Sequence, residues 1–206
     1  MVPTPMKGSH VNAYTVRKVS ELAAEYGDEF VGRIAAAFTC RFNEEVDDFL
    51  RRSALDFSRR KVSVTELVFE NASQWCVGYF TLAVKPLQIP ASALSSTQRK
   101  RIERFSKLDA GSDVYTVAAY LIAQFGKNYA AGQNAIAGKE LLALAMNHVR
   151  RAQDEVGGQV VFLEMEHGNT KLGAFYSQCG FSAFGHRITI ENGKPVTYDQ
   201  LFLFLK

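Results

Sequence analysis

The chain has 206 residues, 47% hydrophobic and 22% charged, with a net charge of +3. That is long enough to bury a continuous core without disulfides or metals, and the charge is too mild to mark a nucleic-acid binder by itself. Its three cysteines, Cys40, Cys76 and Cys179, show no CxxC or Cys/His spacing, so neither a disulfide framework nor a metal site is expected, and the expected compartment is a reducing cytoplasm. The opening MVPTPMKGSH lacks an apolar stretch behind its lysine, and no run approaches the roughly 18 to 20 apolar residues of a membrane span, so neither secretion nor membrane insertion is expected.

One domain is expected over residues 1–206, with a loose start. Leu22, Tyr26, Phe30 and Ile34 recur every four residues in Ser20–Phe38, which predicts an amphipathic helix interrupted or bent near Gly27. In FNEEVDDFLRRSALDFSRRK, Asn43 is the expected N-cap. Acids crowd the positive end of this helix, Arg59, Arg60 and Lys61 close the negative end, and Val46, Phe49, Leu50, Ala54 and Phe57 form its buried stripe. Val64–Glu70 and Trp75–Leu87, joined by the polar turn NASQ, predict an antiparallel hairpin. A basic helical segment, Ser95–Leu108, follows, then a turn at Asp109.

Tyr115–Phe125 reads as a buried strand, Gly138–Val156 as a long helix with Leu141, Ala145, Val149, Ala152 and Val156 on one face, and Gln159–Glu166 as a second buried strand. Parallel neighbours so connected predict a right-handed crossover. A short helix over NTKLGAFYSQC and strands through FSAFGHRI and DQLFLFLK complete the pattern.

A loop of small residues between a strand and a helix offers free backbone N–H groups at a positive helix end, which suits an anion. In QNAIAGKELL, residues Gln133, Gly138 and the Leu141-Leu142 pair match the spacing of the pyrophosphate motif QxxGxG/AxxLL, with Ile136 in place of its first glycine. In NTKLGAFYSQCGF, Asn169, Leu172, Tyr176, Gly180 and Phe181 fall at a second recurring spacing. Together these motifs resemble those of the GNAT superfamily of N-acetyltransferases. FTCRFNEEVDDFLRRSALDFSRRKVSVTELVF followed by VGYFTLAVKPL resembles, more loosely, the branch that includes tRNA-acetylating toxins.

The resemblance implies an α/β GNAT fold: a mixed, mostly antiparallel sheet with splayed central strands, flanked by helices, the helix near residues 20–38 being an addition. It implies acetyl-CoA as cofactor, held by Ala123, Gln124 and Phe125 at the strand end, by Lys127, Asn128, Gln133, Ala137, Gly138 and Lys139 in the loop, and by Asn169 and Tyr176. Asn169 and Tyr176, two turns apart, would face one cleft. Tyr176 would protonate the departing CoA thiolate, a phenol of pKa about 10 suiting a thiolate of similar basicity.

Glu164 is the expected base toward an amine acceptor, with Glu166, His167 or water as alternatives, and transfer would be direct. The acceptor stays open among small amines, peptides and aminoacyl-tRNA, as does a homodimer; no membrane partner is expected. A non-catalytic GNAT-like module with a degenerate phosphate loop is the alternative, favoured by Ile136. The basic residues Arg51, Arg52, Arg59, Arg60 and Lys61, and Arg99, Lys100, Arg101, Arg104 and Lys107, form either a surface for RNA phosphates or the cofactor's 3'-phosphate, or solvated helix faces paired with nearby acids.

Overall fold

The computed structural model describes residues 13–131, 135–191 and 193–206. In chain order the elements are β1 (Tyr14–Lys18), α1 (Val19–Tyr26), α2 (Asp28–Ala37), α3 (Glu44–Arg52), α4 (Ala54–Arg59), β2 (Val64–Glu70) and β3 (Cys76–Pro90). They continue with a 3-10 turn at Ala91–Ala93, α5 (Ser96–Ile102), β4 (Leu108–Asp109), β5 (Val114–Lys127), α6 (Gly138–Val156), β6 (Val160–Glu166), α7 (Thr170–Gln178), β7 (Ser182–Glu191) and β8 (Lys194–Phe204). The chain divides into two compact units, Met1–Thr81 with Gln124–Leu141, and Leu82–Ala123 with Leu142–Lys206.

In the first unit the strand order is β1-β2-β3-β5. The first strand, YTVRK, was not expected from its sequence. It pairs antiparallel with β2 from Tyr14↔Glu70 to Lys18↔Glu66 and takes its identity from that partner. The helix is interrupted at Gly27, one of the two expected outcomes: its φ of 84° is open to glycine and separates α1 from α2. The next helix is broken too, at Ser53, into α3 and α4. Asn43 caps α3 as expected, its side chain accepting from the Glu45 N–H at 2.9 Å. The core of this unit gathers Val19, Leu22, Phe38, Leu50, Leu67 and Tyr79, and Tyr79 donates to the Val46 carbonyl at 2.5 Å.

Two glycines let four elements approach closely here. A Cβ on Gly126 would stand 2.5 Å from Val46 Cγ1, and one on Gly78 would stand 3.0 Å from the Gly126 carbonyl oxygen and 3.1 Å from Leu141. The end of β5 and the first turn of α6 are therefore seated against β3 with no room for a side chain.

In the second unit the order is β3-β5-β6-β8-β7, with β4 on β5. The core includes Ile89, Ile102, Tyr115, Val160, Phe162 and Phe202. β5 and β6 are parallel, as expected of a strand-helix-strand unit, but their ladder has three pairs only, Tyr120↔Val161 to Ile122↔Leu163. Both strands continue beyond it while β6 stays paired with β8 down to Glu166↔Tyr198. The β5–β6 ladder thus ends before either strand does. On α6, Leu141, Leu142, Ala145, Met146 and Val149 are buried, whereas Val156, expected on that stripe, is exposed.

Helix α7 ends in a Schellman motif. The Phe181 N–H donates to the Tyr176 carbonyl and the Gly180 N–H to that of Ser177, both at 3.0 Å, with Gly180 at φ 93°. The accompanying apolar contact is the Tyr176–Phe181 ring pair, centroids 5.8 Å apart. The spacing Tyr-x-x-x-Gly-Phe is thus the signature of a helix stop that locks Phe181 onto Tyr176. Gly180→Ala should destabilise the protein by about 1–2 kcal/mol through left-handed strain, lowering Tm by about 2–4 °C per kcal/mol in a thermal melt. An unchanged melt would mean that this stop does not hold α7.

Candidate functional site

Helix α7 is entered through Asn169, whose side-chain oxygen accepts from the Leu172 N–H at 3.1 Å. Asn169 therefore stands just before the helix, with φ −77° and ψ 77°, and is exposed. Its seven-residue distance from Tyr176 reflects an N-cap and a last-turn residue rather than two positions on one helical face. Tyr176 is 5% exposed, its ring held between Phe175 and Phe181. Burial pushes its phenol well above the ordinary tyrosine value, and Cys179 acts in the same direction. The expectation of a phenol matched to the thiolate is corrected accordingly: the upward shift makes this hydroxyl a weaker acid than that match requires.

Glu164 lies one residue past the β5–β6 ladder. Its carboxylate takes a bidentate fork from Arg187, at 2.9 and 2.7 Å, and a further donor from Gln200 at 2.8 Å. Arg187 also stacks over Tyr198, 5.2 Å from its centroid. A carboxylate so fully engaged differs from the free base expected from sequence, because its oxygens are already committed to donors. Ala123, the matching residue past the ladder on β5, is exposed.

In the first unit, Gln124 and Phe125 are half-buried at the end of β5, and Lys127 places its ammonium 5.6 Å from the Tyr129 ring centroid. Asn128, expected to meet phosphates, is 3% exposed. It accepts from the Thr39 and Ala130 N–H groups at 3.0 Å and donates to the Cys76 carbonyl at 2.7 Å. Its polar atoms therefore pin the β5 exit in place. Gln133 lies outside the described residues.

Ile136 is wholly buried. Its side chain points into the interior, so the missing glycine does not place a side chain in front of the helix. Ala137 and Lys139 are exposed and Gly138 half-buried at the start of α6. The Ala137 N–H, however, donates to the Glu140 carboxylate at 2.9 Å. Tyr14 donates to the Ala135 carbonyl at 3.2 Å and reaches the same Glu140 carboxylate at 3.5 Å. Glu140 was not singled out in the sequence; an acid three residues into a helix is the signal that could have found it.

No protein-family model and no curated protein matches the sequence. Solved structures do match the fold. AtaT, in complex with acetyl-methionyl-tRNAfMet, aligns with a TM-score of 0.60 and 21% identity over 90% of this chain and 94% of its own. A tyrosine-to-phenylalanine mutant of the AtaT toxin, bound to the C-terminus of the antitoxin AtaR and to acetyl-CoA, aligns with a TM-score of 0.55 and 19% identity over 94% of each chain. A tyrosine-to-phenylalanine mutant of KacT gives 0.58 and 21%, over 91% of this chain and 95% of its own.

The chain has the GNAT fold. Within this fold the basic clusters divide. Arg59 forks onto Asp28, Arg60 pairs with Asp56, Arg52 with Asp48, and Arg51 donates to the Phe38 carbonyl at 2.8 Å. Arg52, Arg59 and Arg60 are thus paired with nearby acids, as the second of the two expectations had it for these residues. On α5 and the turn that follows it, Lys100, Arg101 and Arg104 line an open recess of about 610 Å³ together with Thr97, Phe105 and Gln159. Arg101 is anchored there by the Leu205 carbonyl and stacks 4.8 Å over Phe204. Tyr176 and Glu164 do not line this recess. Among the described residues no helix is long and apolar enough to cross a membrane.

Proposed function

We propose that this chain is an acetyl-CoA-dependent N-acetyltransferase that moves the acetyl group directly to an amine. The observation that carries the reading is the joint match of fold and helix: GNAT-fold toxins solved with acetyl-CoA and with an acetylated aminoacyl-tRNA align over nine-tenths of the chain. The motif helix α7, in turn, locks a buried Tyr176 by a Schellman stop. One of those neighbours, and the KacT structure as well, was solved as a tyrosine-to-phenylalanine mutant.

In the proposed reaction the amine nitrogen attacks the thioester carbonyl, the C–S bond breaks, and Tyr176 gives its proton to the CoA thiolate before recovering one from solvent. The proton lost by the amine passes to water. Glu164, although a candidate for that role, is held by Arg187 and Gln200 and serves better as a fixed negative charge that orients Arg187. Asn169, with its oxygen engaged in the cap, has its amide NH2 to offer the pantetheine arm. The cofactor's pyrophosphate would meet the backbone N–H groups of the first turn of α6, with Gly138 and Lys139 nearby. The buried Ile136 removes the steric objection to that placement and weakens the alternative of a non-catalytic module.

Calorimetry with acetyl-CoA tests the reading, alongside a screen of CoA release with small amines, peptides and aminoacyl-tRNA in parallel. Saturable binding and turnover are expected; binding without turnover on any acceptor would favour the non-catalytic module. Glu140 adds a sharper expectation, because its carboxylate sits where the pyrophosphate would bind. Glu140→Gln keeps a cap on the Ala137 N–H and removes the like charge, so acetyl-CoA affinity should rise about two- to fivefold. An affinity that stays the same or falls would move the phosphates away from this helix end.

A further inference from the structure

The geometry points to a binding site for a borderline divalent metal ion, of the Zn2+, Co2+ and Ni2+ class, built by His167, His186 and Asp199. These residues come from three places in the second unit: the turn after β6, the middle of β7 and β8. His186 and Asp199 are ladder partners, and the His167 N–H donates to the Thr197 carbonyl at 2.9 Å, which draws the turn against β8. Both imidazoles direct Nδ1 at one oxygen of Asp199, each at 2.7 Å. Their rings stand nearly perpendicular, 5.2 Å apart, and the three ligand atoms lie within 4.8 Å of one another.

Two imidazole nitrogens and one carboxylate oxygen form a donor set suited to these ions, whereas Mg2+ and Ca2+ prefer oxygen alone. The carboxylate is mostly covered, at 17% side-chain exposure, while the imidazoles are about 60% exposed. The site therefore has a fixed base, two adjustable arms and an open outer side where water completes the coordination. An ion about 2.0–2.2 Å from each ligand needs neighbouring donors somewhat over 3 Å apart. Outward rotation of the two exposed rings supplies that opening without moving the strands. Bound metal would staple the β6 turn to β7 and β8, two residues before the Asn169 cap of α7.

The test uses the full chain, stripped with a chelator and titrated with Zn2+ by calorimetry, with a thermal melt in parallel. One equivalent of Zn2+ should bind and raise Tm. His186→Gln and, separately, His167→Gln should each weaken binding at least about tenfold, with melts in chelator matching the wild type. Co2+ on the wild-type protein should give ligand-field bands without thiolate charge transfer, which separates this site from Cys40, Cys76 and Cys179 and needs no variant to fold. No saturable binding at submillimolar Zn2+, a thiolate spectrum, or binding indifferent to both substitutions would overturn the proposal.

Discussion

Tyr176→Phe is expected to lower turnover by about 10²–10⁴-fold, the usual contribution of a positioned general acid, with acetyl-CoA affinity little changed. The substitution keeps the ring that packs against Phe181 and the apolar contact of the Schellman stop, so the fold and Tm should survive. What is lost is one proton, at the point where the thiolate needs it. The direction of the phenol's shift adds a second readout. Because burial raises its pKa, the proton-bearing form persists through neutral and moderately alkaline pH, and Tyr176 should impose no fall in wild-type rate there. Turnover that is unchanged in the variant under saturating acetyl-CoA and acceptor would remove Tyr176 from the chemistry.

If the acceptor is an aminoacyl-tRNA, its apparent affinity should fall steeply with salt. Three phosphate contacts would cost about 30–50-fold between roughly 50 and 200 mM salt, whereas a small amine would lose almost nothing. The α5 recess is the basic surface best suited to make such contacts, because the α3 and α4 arginines are already paired with acids. Arg101 holds the Leu205 carbonyl and the Phe204 ring, so the informative double variant is Lys100→Gln with Arg104→Gln. It should weaken an RNA acceptor and reduce the salt slope by about 1 to 2, while leaving acetyl-CoA binding intact. A steep slope that the double variant does not alter would place the RNA elsewhere, and a flat slope would exclude a polyanionic acceptor.

Much of the frame was legible before any coordinates. The break at Gly27, the Asn43 cap, the hairpin from β2 to β3, the bounds of α6 and the parallel pairing of β5 with β6 all follow from signals within a few residues of where they act. Gly180-Phe181 belongs with them, since a glycine at a helix exit followed by an apolar residue is a local stop. What local signals missed had partners far along the chain. YTVRK is a strand because β2 lies beside it, and the role of Asn128 depends on Thr39 and Cys76.

The sequence by itself determined the order of elements and the two motif helices, because capping, periodicity and turn chemistry are fixed by neighbours on the chain. Only the tertiary structure decided which donors and acceptors meet. Glu164 and Arg187 are 23 residues apart, and His167 and Asp199 are 32 apart. No spacing rule joins them, because it is the β6-β8-β7 register that brings them together. The same holds for Ile136 and Tyr176: their identities are written in the chain, but whether one obstructs an anion and how tightly the other keeps its proton depend on burial, which the rest of the fold supplies.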